Sequence, residues 1–205
     1  MENKQIKIAT ADPSALGLFG LAMVTLVASS QKLGLTSGVS LVIPWAIFLG
    51  GFAQLFACIH DARKQNTFGA TAFGAYALFW FGVGATWLIQ NGVFGSTLAK
   101  NSDVKQLAFA FLGYLVFTLF MTIAAVETNK VLFIIFVLID FLFIGLSLST
   151  FGIAEHAMHL LAAYSELLIS IAAFYGFAAN VLNAHFKYEF LPLGKPFGIF
   201  VKKSN

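Results

Sequence analysis

Six stretches of almost wholly apolar residues alternate with short polar breaks along this chain of 205 residues. A helix needs about 20 apolar residues to cross the hydrocarbon of a bilayer. Stretches of that order run over 14–31, 40–59, 69–90, 107–126, 131–151 and 158–183. The breaks between them are Gln31–Ser37, His60–Phe68, Asn91–Gln106, Glu127–Lys130 and Thr150–Ala157. The shortest, Glu127-Thr-Asn-Lys130, still suffices for a tight turn between antiparallel helices. The pattern predicts an all-α membrane protein, a bundle of six transmembrane helices filling one domain over 1–205. Leu191-Pro-Leu-Gly-Lys-Pro leaves the last helix at its prolines.

The first helix has the clearest start. Asp12 and Pro13 stand at the mouth of the run Ser14-Ala-Leu-Gly-Leu-Phe-Gly20. An acidic cap meets the positive end of the helix dipole, and a proline costs nothing where its missing N–H would go unpaired. Small residues mark helix contacts. Ser14, Gly17 and Gly20 share a face of the first helix, and Ala46 with Gly50 and Ala53 with Ala57 form spaced pairs on the second. Gly82 with Gly84, and Ala172, Gly176 and Ala179, do the same in the third and sixth. Spacing leaves open whether these contacts lie within one bundle or between protomers.

Composition agrees with a lipid solvent. The chain is 59% hydrophobic and 10% charged, with a mean hydropathy of +0.86, far from the roughly 25% charged residues of a soluble domain. A single cysteine, Cys58, excludes an internal disulfide. A net charge of +3, scattered along the chain, gives no footprint for nucleic acid. Residues 1–11 hold Glu2, Lys4 and Lys7 but no apolar core, so no cleavable signal is expected ahead of the first helix. With six spans both termini share a side. That side carries Lys4, Lys7, Arg63, Lys64, Lys130, Lys187, Lys195, Lys202 and Lys203, against Lys32, Lys100 and Lys105 opposite. The excess of basic residues predicts cytoplasmic termini in a multi-pass protein of the cell membrane.

Polar groups inside the apolar spans each ask for a reason, since a charge at the bilayer centre costs at least about 2.5 kcal/mol on insertion scales. Asp140 lies in the middle of the fifth span among Val, Ile, Leu and Phe. It reads equally as a proton or substrate site and as a hydrogen-bonded carboxyl gluing two helices. Glu166, in the sixth span beside Ser165 and Ser170, either lines a pathway or pairs across a helix interface. Glu155, His156 and His159 cluster at the last break. No further Cys or His accompanies them locally, so they read as an interfacial, pH-sensitive group rather than a metal site. Gln54, Thr67, Thr71 and Tyr76 are neutral donors of the kind that hold a small anion or amide briefly, or that satisfy backbone carbonyls. Neither a phosphate loop, a nucleophile elbow nor a zinc motif is present, which leaves enzyme and cofactor chemistry without local support.

Asp12-Pro-Ser-Ala-Leu-Gly-Leu-Phe-Gly20 resembles the Asn-Pro-x-Pro-Leu-Gly-Leu signature of the acetate uptake transporters, the succinate–acetate permease family, departing from it at Asp12 and Ala15. Gly50-Gly-Phe-Ala-Gln54 resembles that family's Gly-Gly-x-Ala-Gln, and Asn66-Thr-Phe-Gly-Ala-Thr-Ala-Phe73 its Asn-Thr-Phe-Gly-x-Thr-Ala-Phe, followed by Tyr76 and Phe79-Trp80. Val116-Phe-Thr-Leu-Phe-Met121, Val181-Leu-Asn183 and Leu191-Pro-Leu-Gly194 continue the match in order.

The resemblance implies a six-helix acetate permease in a hexameric ring, with a central pathway in each protomer. It implies a constriction at Leu21, Tyr76 and Ile139, where the family has Phe, Tyr and Leu. Asp12, Ser14, Gln54 and Thr71 are the candidates for carboxylate-binding mouths, and Asp140 and Glu166 for proton linkage. Acetate is the expected substrate, with succinate or related acids possible. The alternatives are a channel for neutral solutes, such as urea or undissociated acid, and a non-transporting membrane scaffold. A scaffold has no use for Asp140 or the run of hydroxyls. An ionised Asp12 caps a helix as well as Asn does, but it repels an anion arriving at that mouth.

Overall fold

The computed structural model describes residues 11–200. Among the described residues, six helices are long and apolar enough to cross a membrane. They are α1 (Ser14–Lys32), α2 (Ile43–Arg63), α3 (Thr67–Gln90), α4 (Val104–Ala125), α5 (Lys130–Thr150) and α6 (Glu155–Phe186). A short helix, Ser96–Lys100, lies in the connection before α4, and no strand occurs among the described residues. The apolar stretches read from the sequence fall on these helices, with ends that differ by a few residues. The longest, α6, has 32 residues, about 48 Å at 1.5 Å per residue, so it outruns the hydrocarbon.

Each helix packs on its neighbour in sequence, and α6 closes the circle against α1. Leu18, Leu21, Tyr76, Phe79, Phe136, Ile139 and Phe143 meet inside this ring. Its outer face is also apolar. Phe48, Phe52 and Phe56 form an exposed stripe on α2, and Phe109, Phe120 and Ile123 an exposed face of α4. That inversion suits a lipid solvent, which rewards no polar exterior.

The small residues let these helices approach. A β-carbon at Gly17 would collide with the Phe73 ring and at Gly50 with Trp80, and at Gly176 it would crowd Leu18. The contacts that spacing left undecided are therefore made, at these positions, within one protomer. Gly82 is different and meets nothing within 4 Å. Gly20 lies against the carbonyl of Leu49, inside a π-helical stretch of α2, Ala46–Ala53. Such wide turns recur at functional sites, and this one delivers Gln54 at its end.

Three helices begin on the same face of the bundle, each capped by an Asx side chain. Asp12 Oδ1 accepts from the Ser14 N–H at 3.0 Å, Asn66 Oδ1 from Gly69 at 3.1 Å and Asn129 Oδ1 from Leu132 at 2.9 Å. The same face carries a strap formed by the chain after α6. Asn183 holds its start, donating from Nδ2 to the Leu191 carbonyl and accepting from the Phe190 and Leu191 N–H groups. Tyr175 donates to the Pro192 carbonyl at 2.8 Å, and the Val131 and Phe197 N–H groups bond across to Leu193 and Val126. Val181-Leu-Asn183 and Leu191-Pro-Leu-Gly194, widely separated as motifs, are thus one hydrogen-bonded unit.

At Gly145 the space belongs to backbone: a β-carbon would meet Met158 O at 2.6 Å and Ala162 N at 2.7 Å. Gly145→Val is expected to destabilise the bundle by about 1–3 kcal/mol or more, the usual range for overpacking. Gly82→Val is expected to leave the unfolding midpoint in detergent within error of wild type. Equal midpoints for the two variants would contradict this packing of α5 on α6.

Candidate functional site

A cavity of about 160 Å³ opens among the helix starts, lined by residues of α1, α2, α3, α5 and α6. About 10–15 Å³ of such space already admits one water, so a small hydrated solute fits. Asp12, Asn66 and Asn129, the three caps, all line it. Helix N-termini present unpaired N–H groups and partial positive charge, which makes them anion sites when they converge. Asn180 of α6 adds an amide.

Gln54 is the strongest polar feature of the lining. It is fully buried, and neither its Oε1 nor its Nε2 has a hydrogen-bond partner among the described residues. Native proteins rarely leave a buried amide unpaired. A side chain of this kind, lining a cavity, carries one donor group and one acceptor for whatever passes.

Leu21, Tyr76 and Ile139 also line the cavity. Each lies nine or ten residues beyond its helix cap at Asp12, Asn66 or Asn129. At 1.5 Å per residue that depth is about 15 Å, half the hydrocarbon thickness. One large side chain from each of three capped helices thus meets at that depth, in one buried cluster. Thr118 spends its single hydroxyl hydrogen on the Tyr114 carbonyl at 2.7 Å. The 3.0 Å contact between Tyr76 and Thr118 therefore has Tyr76 as donor. That bond, with edge-on packing against Phe117 at 5.7 Å, fixes the Tyr76 ring and occupies its hydroxyl.

Of the nine residues singled out from the sequence, Asp12, Ser14, Leu21, Gln54, Tyr76 and Ile139 share this cavity. Thr71 does not: it is exposed on the outer face of α3. Five residues before Tyr76, it lies about 140° around the helix from it. Asp140 follows Ile139 directly and is turned away from the cavity, toward α4. Thr122 donates to its Oδ2 at 2.7 Å, while Oδ1 is buried without a partner among the described residues. Glu166 is paired with Lys32 at 2.8 Å, at the end of the bundle far from the caps. There His159 Nε2 donates to the Lys32 carbonyl at 3.0 Å. Ser170 and Thr25 bond backbone carbonyls of α1.

Sequence reading did not single out Asn129 or Asn180, and it met Asn66 only inside a motif. Asn66 and Asn129 carried the same signal as Asp12, a short polar side chain directly before an apolar run. Asn180 had no linear signal, because its place depends on how α6 turns toward α1.

A ring of apolar helices around a cavity, with capped helix starts at its mouth and Leu21, Tyr76 and Ile139 deeper in its lining, is the architecture of a multi-pass membrane protein. The chain belongs to the GPR1/FUN34/yaaH family, whose profile it matches over residues 2–195. It is 33% identical over 185 residues to the succinate-acetate/proton symporter SatP of Escherichia coli strain K12, spanning 90% of this chain and 96% of that one. It is 29% identical over 182 residues to the ammonia transport outward protein 2 of Saccharomyces cerevisiae, spanning 87% of this chain and 64% of the yeast protein. The solved structure of the bacterial acetate channel SatP superimposes with a TM-score of 0.84 at 31% identity, covering 91% of this chain and all of that one. These relatives are transporters and channels.

Lys32 and Glu166 form a buried pair with side-chain exposures of 14% and 2%. Removing one partner of such a pair strands the other charge at a cost of about 3–5 kcal/mol. Lys32→Met is therefore expected to lower the unfolding midpoint sharply, and Lys32→Met with Glu166→Gln to restore most of it. A double variant no more stable than the single one would contradict a strut role for the pair.

Proposed function

We propose that this protein carries acetate, and related small carboxylates such as succinate, across the cell membrane through the cavity of each protomer. The observation that carries the reading is the unpaired, buried amide of Gln54 in a cavity ringed by three capped helix N-termini. N–H groups at helix starts and neutral amides favour a carboxylate without binding it so tightly that it cannot leave. Asp12, Ser14 and Gln54 make the mouth, with Asn66, Asn129 and Asn180 added to them. Leu21, Tyr76 and Ile139 make the constriction. Thr71, facing outward, is read as a lipid- or partner-facing residue. Lys64 Nζ lies 4.0 Å from Asp12 Oδ1, and this cation offsets the repulsion that a bare carboxylate at the mouth would exert on an incoming anion. Asp140 remains a candidate for proton linkage through its unpaired Oδ1, and Glu166 is read as half of a structural pair.

The symporter and channel named among the relatives support acetate as the substrate and a proton as its companion. The yeast ammonia transport protein supports a second reading, a pathway for small neutral solutes. Flux of radiolabelled acetate in liposomes separates the two when imposed pH gradients are compared with none. Saturable acetate uptake above protein-free vesicles supports the carboxylate reading. Ammonia flux without acetate flux overturns it.

The assembly is read as a homo-oligomer, a hexameric ring, with each protomer keeping its own pathway. Both termini are read as cytoplasmic, which the excess of Lys and Arg on their side supports. Lys4, Lys7, Lys202 and Lys203 of that count lie outside the described residues, as does Asn3, a natural labelling position. Single cysteines at Ser102 and Lys195, in a background lacking Cys58, are expected to label from opposite sides of the membrane, with Ser102 reached from outside. Labelling of both from one side overturns the topology.

Ile139 is 3% exposed, and its loss leaves space at the constriction rather than a chemical defect. Ile139→Ala is expected to admit bulkier monocarboxylates while acetate flux persists. Unchanged size selectivity in a folded, assembled variant counts against a constriction at Ile139.

A further inference from the structure

Asp61, near the end of α2, is buried to 1% exposure and stands directly behind the mouth. Its Oδ1 accepts from Nδ2 of Asn66 at 3.1 Å, while its Oδ2 has no partner among the described residues. Both the Asp61 carboxylate and the Asn66 amide press on the Cα of Gly69, where a β-carbon would collide with them. Asn66 and Gly69 in turn line the cavity. The Asn66 amide is thereby committed on two sides. Its oxygen caps α3 through the Gly69 N–H, and one of its two N–H groups goes to Asp61. The second N–H is what remains for a ligand.

A carboxylate accepting that remaining hydrogen would sit one amide group away from Asp61. Like charges at that range oppose each other, and the burial of Asp61 limits the screening that water at the exposed Asn66 provides. The charged and titratable neighbours of Asp61 relieve this only in part. Asp12, ahead of α1, adds negative charge, and Lys64 just beyond α2 is shared with Asp12. Cys58, one turn back on α2, is the other titratable neighbour. The facing start of α3 brings Asn66 and Gly69, neither of them titratable.

We propose that Asp61 positions Asn66 and binds the proton that accompanies a carboxylate into the mouth. The proton arrives from water and adds to the free Oδ2. The Oδ1 lone pairs stay available to Asn66, so the amide keeps its orientation while the charge behind it disappears. No covalent bond of the substrate changes. The inference rests on the carboxylate reading above and names the group that couples it to protons.

The test is acetate binding to the purified, full-length protein by titration calorimetry, across a pH series above the range where acetate itself titrates. Buffers of different ionisation enthalpy report proton uptake directly. Wild type is expected to take up about one proton per acetate, its Kd weakening about tenfold per pH unit on the alkaline side. Asp61→Asn keeps an acceptor for Asn66 and carries no charge, so its Kd is expected to be flat with pH and its heat independent of buffer. Asp12→Asn is expected to keep the slope. A slope that persists in Asp61→Asn, or that vanishes only in Asp12→Asn, overturns the assignment.

Should Asp61→Asn fail to assemble, infrared difference spectra of wild type with ¹³C-labelled acetate decide the matter. A protonated-carboxyl band that appears with acetate and moves in Asp61→Glu supports the proposal, and its absence overturns it. Wild type that gives no acetate signal at any pH overturns the carboxylate reading itself, and Asp61 with it.

Discussion

Inside a bilayer almost every backbone N–H and C=O must be paired within the protein, and a helix does this everywhere except at its ends. The first-turn N–H groups of α1, α3 and α5 are that exception, and the whole site is arranged around them. They converge on one cavity because alternate helices of an up-and-down bundle start on the same face. Each start is capped by a short polar side chain, Asp12, Asn66 or Asn129, that satisfies one N–H, and the two neutral Asn caps leave their dipoles uncancelled. Leu21, Tyr76 and Ile139 line the same cavity two to three turns deeper. In the proposed pathway, proximity to the helix starts would favour an anion, and depth along the helices would set the barrier.

Four carboxylates near or within the bundle show how differently the same group is handled. Glu166 is neutralised by Lys32 in a strut between α6 and α1. Asp140 accepts from Thr122 and ties α5 to α4. Asp12 is partly in water, with Lys64 beside it. Asp61 is buried with only an amide to lean on, and it is the one whose amide partner also faces the cavity. Burial alone made Asp140 and Glu166 conspicuous in the sequence. The partner of each, and the direction in which its helix turns it, decides what it can do.

That distinction marks how far the sequence could be read. The six helices were legible because hydropathy is set by the solvent, and a lipid solvent leaves long, unambiguous runs. Gln54 was legible as an amide in an apolar helix, and Tyr76 through a long ordered motif. Thr71 shared that motif, yet helix phase puts it on the opposite face. The small residues announced close approach without saying to what. Only the positions of Phe73, Trp80 and Leu18 over Gly17, Gly50 and Gly176 answered it. Asp61 was hidden in a polar break, where a charge needs no explanation until burial is known. The π-helical stretch that turns Gln54 inward has no linear signature beyond two glycines.

In the proposed pathway a carboxylate rests against the Gln54 amide, within the ring of helix starts. Solid-state NMR on the protein in lipid, with ¹³C-carboxyl acetate and ¹⁵N-labelled glutamine side chains, measures that distance directly. The account predicts dipolar coupling at hydrogen-bonding range between acetate and a glutamine side chain, assigned to Gln54 by its loss in Gln54→Leu. Acetate held instead beside Lys32 at the far end of the bundle, with no coupling to Gln54, would contradict it.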